Sequence, residues 1–233
     1  MLLDSNPGNE AVEKVALFES MIKGETFAFF DVEDFELIIE YYLELDFKKK
    51  AKKALEIALE QYPIDLALTL IKIEFLNSSQ RFDESLKALN NLNKFHPNNI
   101  DVVLGLGRLY SLMENKPHAI KYLNHAHHLI LLDSSYNDHL QDLSYEFIQI
   151  GKFDSAIKVL KQILSFKPND ETVMMELGVA YHESGKFQES VNYFKEVIDG
   201  NPYSHIAWFN LATIYNVNED WKEAIFAYEM CLV

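Results

Sequence analysis

Residues 171–204 read ETVMMELGVAYHESGKFQESVNYFKEVIDGNPYS, and this stretch decides the fold. Leu177, Gly178 and Tyr181 fall on one helical face. Gly185 follows, where a positive φ costs little and a helix can end. Phe187, an aromatic suited to a helix–helix corner, opens a second stripe that continues through Ser190, Phe194 and Val197. Pro202 closes the unit. The pattern predicts two helices separated by a tight turn.

The same unit recurs along the chain. Pro63 and Pro97 lie 34 residues apart, as do Pro168 and Pro202; Pro97 to Pro168 is 71, or 34 + 37. A fixed period near 34 predicts stacked helix pairs. With the proline at position 32, repeats begin at Val32, Leu66, Ile100, Asn137, Glu171 and His205. Position 20 is then Ala51, Ser85, Ala119, Ala156, Ser190 or Ala224, small enough for two helices to approach. Position 24 is Leu55, Leu89, Leu123, Leu160, Phe194 or Tyr228, and position 27 runs from Ala58 to Cys231. Positions 7, 8 and 11 repeat as Leu106, Gly107, Tyr110, as Leu143, Ser144, Phe147, and as Leu211, Ala212, Tyr215, with Trp208 at position 4 of the last unit.

This pattern resembles the tetratricopeptide repeat, with its W-x2-L-G-x2-Y, A, F, A and P positions. The resemblance spans 32–233 and is closest over 137–233. Ile38-Ile39 and Lys72-Ile73 depart from Leu-Gly in the first two repeats, and Leu131 replaces proline in the third. The third repeat also carries three extra residues around Asp133–Tyr136, read as a longer turn. The resemblance implies an all-α, right-handed solenoid of antiparallel helix pairs. Six repeats (32–65, 66–99, 100–136, 137–170, 171–204 and 205–233) then form one continuous domain. Residues 1–31 are expected to supply a capping helix or degenerate half-repeat, with Asn6 as cap, Pro7 in the first turn, Ala11, Val15, Phe18 and Ile22 on one face, and Gly24 at the end. The sixth repeat stops at position 29 on Cys231-Leu232-Val233. An apolar face there predicts a truncated chain or an end buried by self-association.

Composition limits the chemistry. The 233 residues carry a net charge of 21 − 36 = −15, with 48% hydrophobic residues and a single cysteine. Such acidity disfavours nucleic acid and anionic membranes as partners. One cysteine excludes an intramolecular disulfide and a cysteine-based zinc cluster. No basic-then-apolar leader and no run of about 18 apolar residues appears, so a cytoplasmic protein is the default expectation. Glycine-rich phosphate loops, G-x-S-x-G and H-E-x-x-H are missing, and no enzymatic role, cofactor or metal is expected. Cys231, at a stripe position, reads as a small core residue. His118, His125, His127 and His128 read as a polar helix surface, with a zinc site as the alternative. Lys48-Lys49-Lys50-Ala51-Lys52-Lys53 reads as a solvated face, with an acidic-partner contact as the alternative.

The charge is uneven. Residues 1–46 hold 2 basic and 12 acidic side chains, 47–97 hold 9 and 6, and 137–233 hold 7 and 15. In the family the concave face uses positions 2, 5, 6, 9, 12 and 13. Here those positions include ten carboxylates and one basic residue, Arg108. A clamp for a C-terminal carboxylate, which needs Lys and Arg there, cannot be assembled. Expected partner-binding residues are Glu33, Glu36, Glu40 and Glu74 at an acidic N-terminal part, with Arg108, Asp142, Tyr145, Met175, Glu176, Val179, Phe209 and Asn210 further on. The expected partner is a protein or peptide, basic and partly apolar. Two other readings stand beside this noncatalytic scaffold: a homodimerising module acting through the C-terminal repeat, and a regulatory or targeting arm of a protein whose activity lies beyond Val233.

Overall fold

The computed structural model describes residues 7–232, and the described residues form thirteen α-helices with no strand. They group into two compact units, Met1–Pro97 and Asn98–Val233. The first holds α1 (Pro7–Ile22), α2 (Val32–Glu44), α3 (Lys48–Gln61), α4 (Leu66–Ser78) and α5 (Phe82–Phe95). The second holds α6 (Ile100–Leu112), α7 (Lys116–Leu132), α8 (Leu140–Gln149), α9 (Phe153–Phe166), α10 (Glu171–Glu183), α11 (Phe187–Gly200), α12 (His205–Val217) and α13 (Trp221–Met230).

The repeat register governs where helices start and stop. First helices α2, α4, α6, α10 and α12 begin at position 1, and every second helix from α3 to α13 begins at position 17. The residue before position 1 caps several of them. Asp65 accepts from Leu68 N–H at 3.0 Å, Asn99 from Val102 at 3.0 Å and Asp170 from Val173 at 3.1 Å. Asp31 and Asp34 form a reciprocal capping box at α2. Position 15 has positive φ in all six repeats: Asp46 57°, Gln80 57°, Glu114 56°, Gly151 74°, Gly185 75° and Glu219 64°. There the chain closes each first helix; Gly185 N–H donates to His182 O and Lys186 N–H to Tyr181 O, both at 2.9 Å. Glycine marks this turn in only two repeats, so four turns were hidden in the sequence. Such short turns make each helix pair antiparallel.

In the first unit α1 packs Ala11, Val15 and Phe18 inward, while Ile22 remains exposed and Met21 takes its place at the core edge. Phe18, Phe30 and Phe35 meet at centroid distances of 5.7–6.1 Å, with Phe18 edge-on to the other two. Glu19 receives Tyr42 Oη at 3.1 Å and Lys50 Nζ at 2.6 Å, tying α1 to α2 and α3.

In the second unit the core runs through Leu106, Leu123, Leu143, Phe147, Leu160 and Leu177, all fully buried. The longer turn expected near Asp133–Tyr136 is resolved differently. α7 extends to Leu132, a 3-10 helix spans Ser134–His139, and α8 starts three residues late at Leu140. Asp133 caps that 3-10 turn through Ser135 N–H at 2.9 Å. Inserted residues are thus absorbed as hydrogen-bonded helix, leaving few unsatisfied backbone groups.

Candidate interaction surfaces

In the first unit, Glu33, Glu36 and Glu40 line one side of α2, and Glu74 stands on α4. Glu33, Glu40 and Glu74 are exposed and Glu36 is half-buried. None of the four has a Lys or Arg within ion-pair distance among the described residues. Burial raises the Glu36 carboxyl above its usual value, and Asp65, Glu33 and Glu40 add repulsion. Glu74 shares a cleft of about 510 Å³ with Leu43 and Phe75, rimmed by Lys48, Lys49 and Lys52. The lysine run is therefore divided: Lys50 is held by Glu19, and Lys48 lies 3.2 Å from Asp46.

In the second unit the predicted residues fall into three sets. Arg108 on α6 bridges to α8, donating through Nε to Glu146 at 2.8 Å and through Nη2 to Asp142 at 3.5 Å. Glu146 is buried, so this guanidinium neutralises a carboxylate of its own fold. Met175, Glu176, Val179 and Asn210 come together in one cleft of about 500 Å³ between α10 and α12, where Ile148 of α8 and Ile206 join them. Glu176 takes two hydrogen bonds from Gln141 Nε2, at 2.7 and 2.8 Å. Burial nonetheless raises its carboxyl above the ordinary value. Tyr145 (57% exposed) and Phe209 (57% exposed) stand outside that cleft; Phe209 lies 6.0 Å from the Tyr228 ring. Glu171, at position 1, also lines it, and the family positions do not single it out.

Cys231 is half-buried, and burial raises its thiol pKa, which works against thiolate chemistry. His118 stacks on Tyr110 at 4.9 Å, and His127 meets Gln162 at 3.2 Å. No cluster of three His, Cys, Asp or Glu able to hold a metal occurs among the described residues, nor any helix long and apolar enough to cross a membrane.

The tetratricopeptide repeat family matches residues 142–205 and 175–229. No curated protein matches the sequence. Among solved structures, YrrB, titled a tetratricopeptide-repeat protein with an unusual peptide-binding site, aligns with TM-score 0.57 and 17% identity over 77% of this chain and 91% of its own. MamA aligns with TM-score 0.54 and 20% identity over 69% and 92%. MamA residues 41 to the end from Desulfovibrio magneticus RS-1 align with TM-score 0.56 and 14% identity over 71% and 92%. At these identities the likeness shows the fold alone. The family model matches residues 142–229, helix pairs in the same register continue outside them, and the chain shares the all-α helical-repeat fold of tetratricopeptide-repeat proteins.

Proposed function

We propose that this protein is a noncatalytic interaction scaffold whose first helices bind a basic, partly apolar peptide or helix. The repeat fold supports a protein-interaction scaffold, and the charge of its first helices supports this class of ligand. One observation carries the reading. Arg108, the single basic side chain at the predicted positions, is already engaged by Asp142 and Glu146, so the remaining carboxylates have no basic neighbour at those positions. Glu176 beside Met175, Val179 and Ile206 offers an anionic group in an apolar cleft. A lysine or arginine flanked by aliphatic residues complements that cleft. A preformed surface lowers the ordering cost for an extended segment.

The test uses a labelled lysine–leucine peptide titrated by fluorescence anisotropy. Glu36→Lys with Glu40→Lys should weaken binding and flatten its salt dependence at the first unit. Glu176→Gln should do so at the second. Affinity unchanged in both variants sinks the reading.

Self-association is a second reading, favoured by the last helix. Trp221, Ile225 and Phe226 of α13 are each more than half exposed. Light scattering across a concentration series decides it: a constant monomer mass rejects it.

A further inference from the structure

The first unit contains a surface of the opposite sign to the acidic first-helix face. Position 7 carries a buried aliphatic in the other repeats, namely Ile38, Leu106, Leu143, Leu177 and Leu211. In α4 it is Lys72, which is exposed. An ammonium cannot be buried there without a partner, so α4 opens to water at this position while Leu68, Ile73 and Leu76 stay buried. Ser85 of α5 lacks a contact that the matching serine makes in another repeat. Its buried Oγ finds no acceptor, whereas Ser190 at the matching position donates to Gly178 O at 2.6 Å. The consequence is a trough of about 1170 Å³ among α3, α4 and α5. A second cleft of about 460 Å³ adjoins it, sharing Leu59, Lys72, Leu76 and Glu84.

The lining of the trough is apolar below and cationic above. Leu59, Leu76 and Leu92 form the floor, and Ile64 and Phe95 project at its ends with 90% and 79% exposure. Lys72, Lys87 and Lys94 stand on the rim, each without an ion-pair partner among the described residues. The only carboxylate in the lining, Glu84, is already bound by both Arg81 Nε (2.7 Å) and Nη2 (2.6 Å). Three free cations over an aliphatic floor sit in the one region of an otherwise acidic chain with positive net charge, 9 − 6 = +3 over residues 47–97.

We propose that this trough is a second docking site, which takes an acidic, apolar-faced peptide segment of a partner protein. The site is open and larger than a compact ligand needs, and exposed Ile64 and Phe95 beside unpaired lysines match glutamate or aspartate alternating with leucine. This reading is independent of the acidic first-helix face, and it gives the scaffold two surfaces of opposite charge preference.

The probe is a labelled amphipathic peptide of leucine and glutamate, titrated by anisotropy at low and high salt against the intact chain. Binding should weaken with salt and fall at least about tenfold in Lys72→Glu/Lys87→Glu, while Glu36→Lys/Glu40→Lys leaves it unchanged or stronger. Lys94→Glu, at an exposed rim position, should weaken it too and serves if the double variant does not fold by circular dichroism. An absence of binding, or binding indifferent to these lysines, overturns the proposal. Calorimetric binding of laurate at the same lysines without peptide binding also overturns it, because the site would then be one for small amphiphiles.

Discussion

A Cβ added to Gly178 would lie 2.7 Å from the Phe194 ring, which is buried at 1% exposure. Positions 8 and 24 of one repeat thus meet more closely than any side chain at position 8 permits. Gly107 faces Leu123 in the same way, at 2.6 Å. The Gly178→Ala variant should lose about 1–3 kcal/mol despite the better helix propensity of alanine, because a packed ring must shift. Gly200→Ala meets nothing within 4 Å and should be neutral or slightly stabilising. Urea midpoints at constant slope distinguish the two; equal midpoints would refute the close-packing account.

Gly185 presents a different constraint. Open space surrounds it, yet its φ is +75°. Gly185→Ala should therefore cost about 1 kcal/mol through backbone strain alone. The converse holds at Glu114 and Gln80, which already adopt φ of 56° and 57°. Glu114→Gly should raise stability by a few tenths to about 1 kcal/mol, the relief of strain exceeding the added freedom of the unfolded chain. Thermal melts of the two variants check the opposite signs.

Asp170 and Ser204 occupy the same cap position in successive repeats. Asp170 accepts from Val173 N–H, while Ser204 makes no such bond to α12. Asp170→Ala should cost about 1 kcal/mol and Ser204→Ala a good deal less. Hydrogen exchange at the first turn of α10 should accelerate only in the former.

Arg108 and Glu146 predict a non-additive pair. Arg108→Ala strands a buried carboxylate and should cost about 2 kcal/mol or more, discounted from a fully buried pair because Arg108 is half-exposed. Arg108→Met with Glu146→Leu removes both charges and should recover much of that loss. A double-mutant cycle with no coupling would remove the ion pair from the account of how α6 and α8 are joined.

Acid should loosen the α1 attachment. The Lys50 ammonium holds the Glu19 carboxyl below its ordinary value of 4.5, and Tyr42 assists. A depressed carboxylate contributes stability above its unfolded pKa, and that contribution is lost as pH falls through the folded one. Glu19→Gln should therefore flatten the decline in stability below about pH 4.5, followed by pH-dependent urea unfolding. Glu176 has the opposite sign: burial raises its carboxyl, so ionisation costs stability as pH rises, and Glu176→Gln should relieve that cost.

The sequence by itself determined the period, the register and the side of each helix that is buried. These follow from local spacing: Ala119, Leu123 and Ala126 must share a face whatever surrounds them. Gly151 and Gly185 also announced their turns, whereas Asp46, Gln80, Glu114 and Glu219 did not, because a non-glycine residue enters the left-handed region only under tertiary constraint. The cap positions were readable from residue type at Asp65, Asn99 and Asp170, though only the hydrogen bonds separate them from Ser204. Tertiary structure alone decided which charges are free. Arg108 looked like a groove cation until α8 brought Glu146 to 2.8 Å, across 38 residues of sequence. Lys72 looked like a departure from the repeat, and the structure turns it into the rim of an open trough. Pairing between distant residues and the sealing of space between helices depend on distances that no linear spacing encodes.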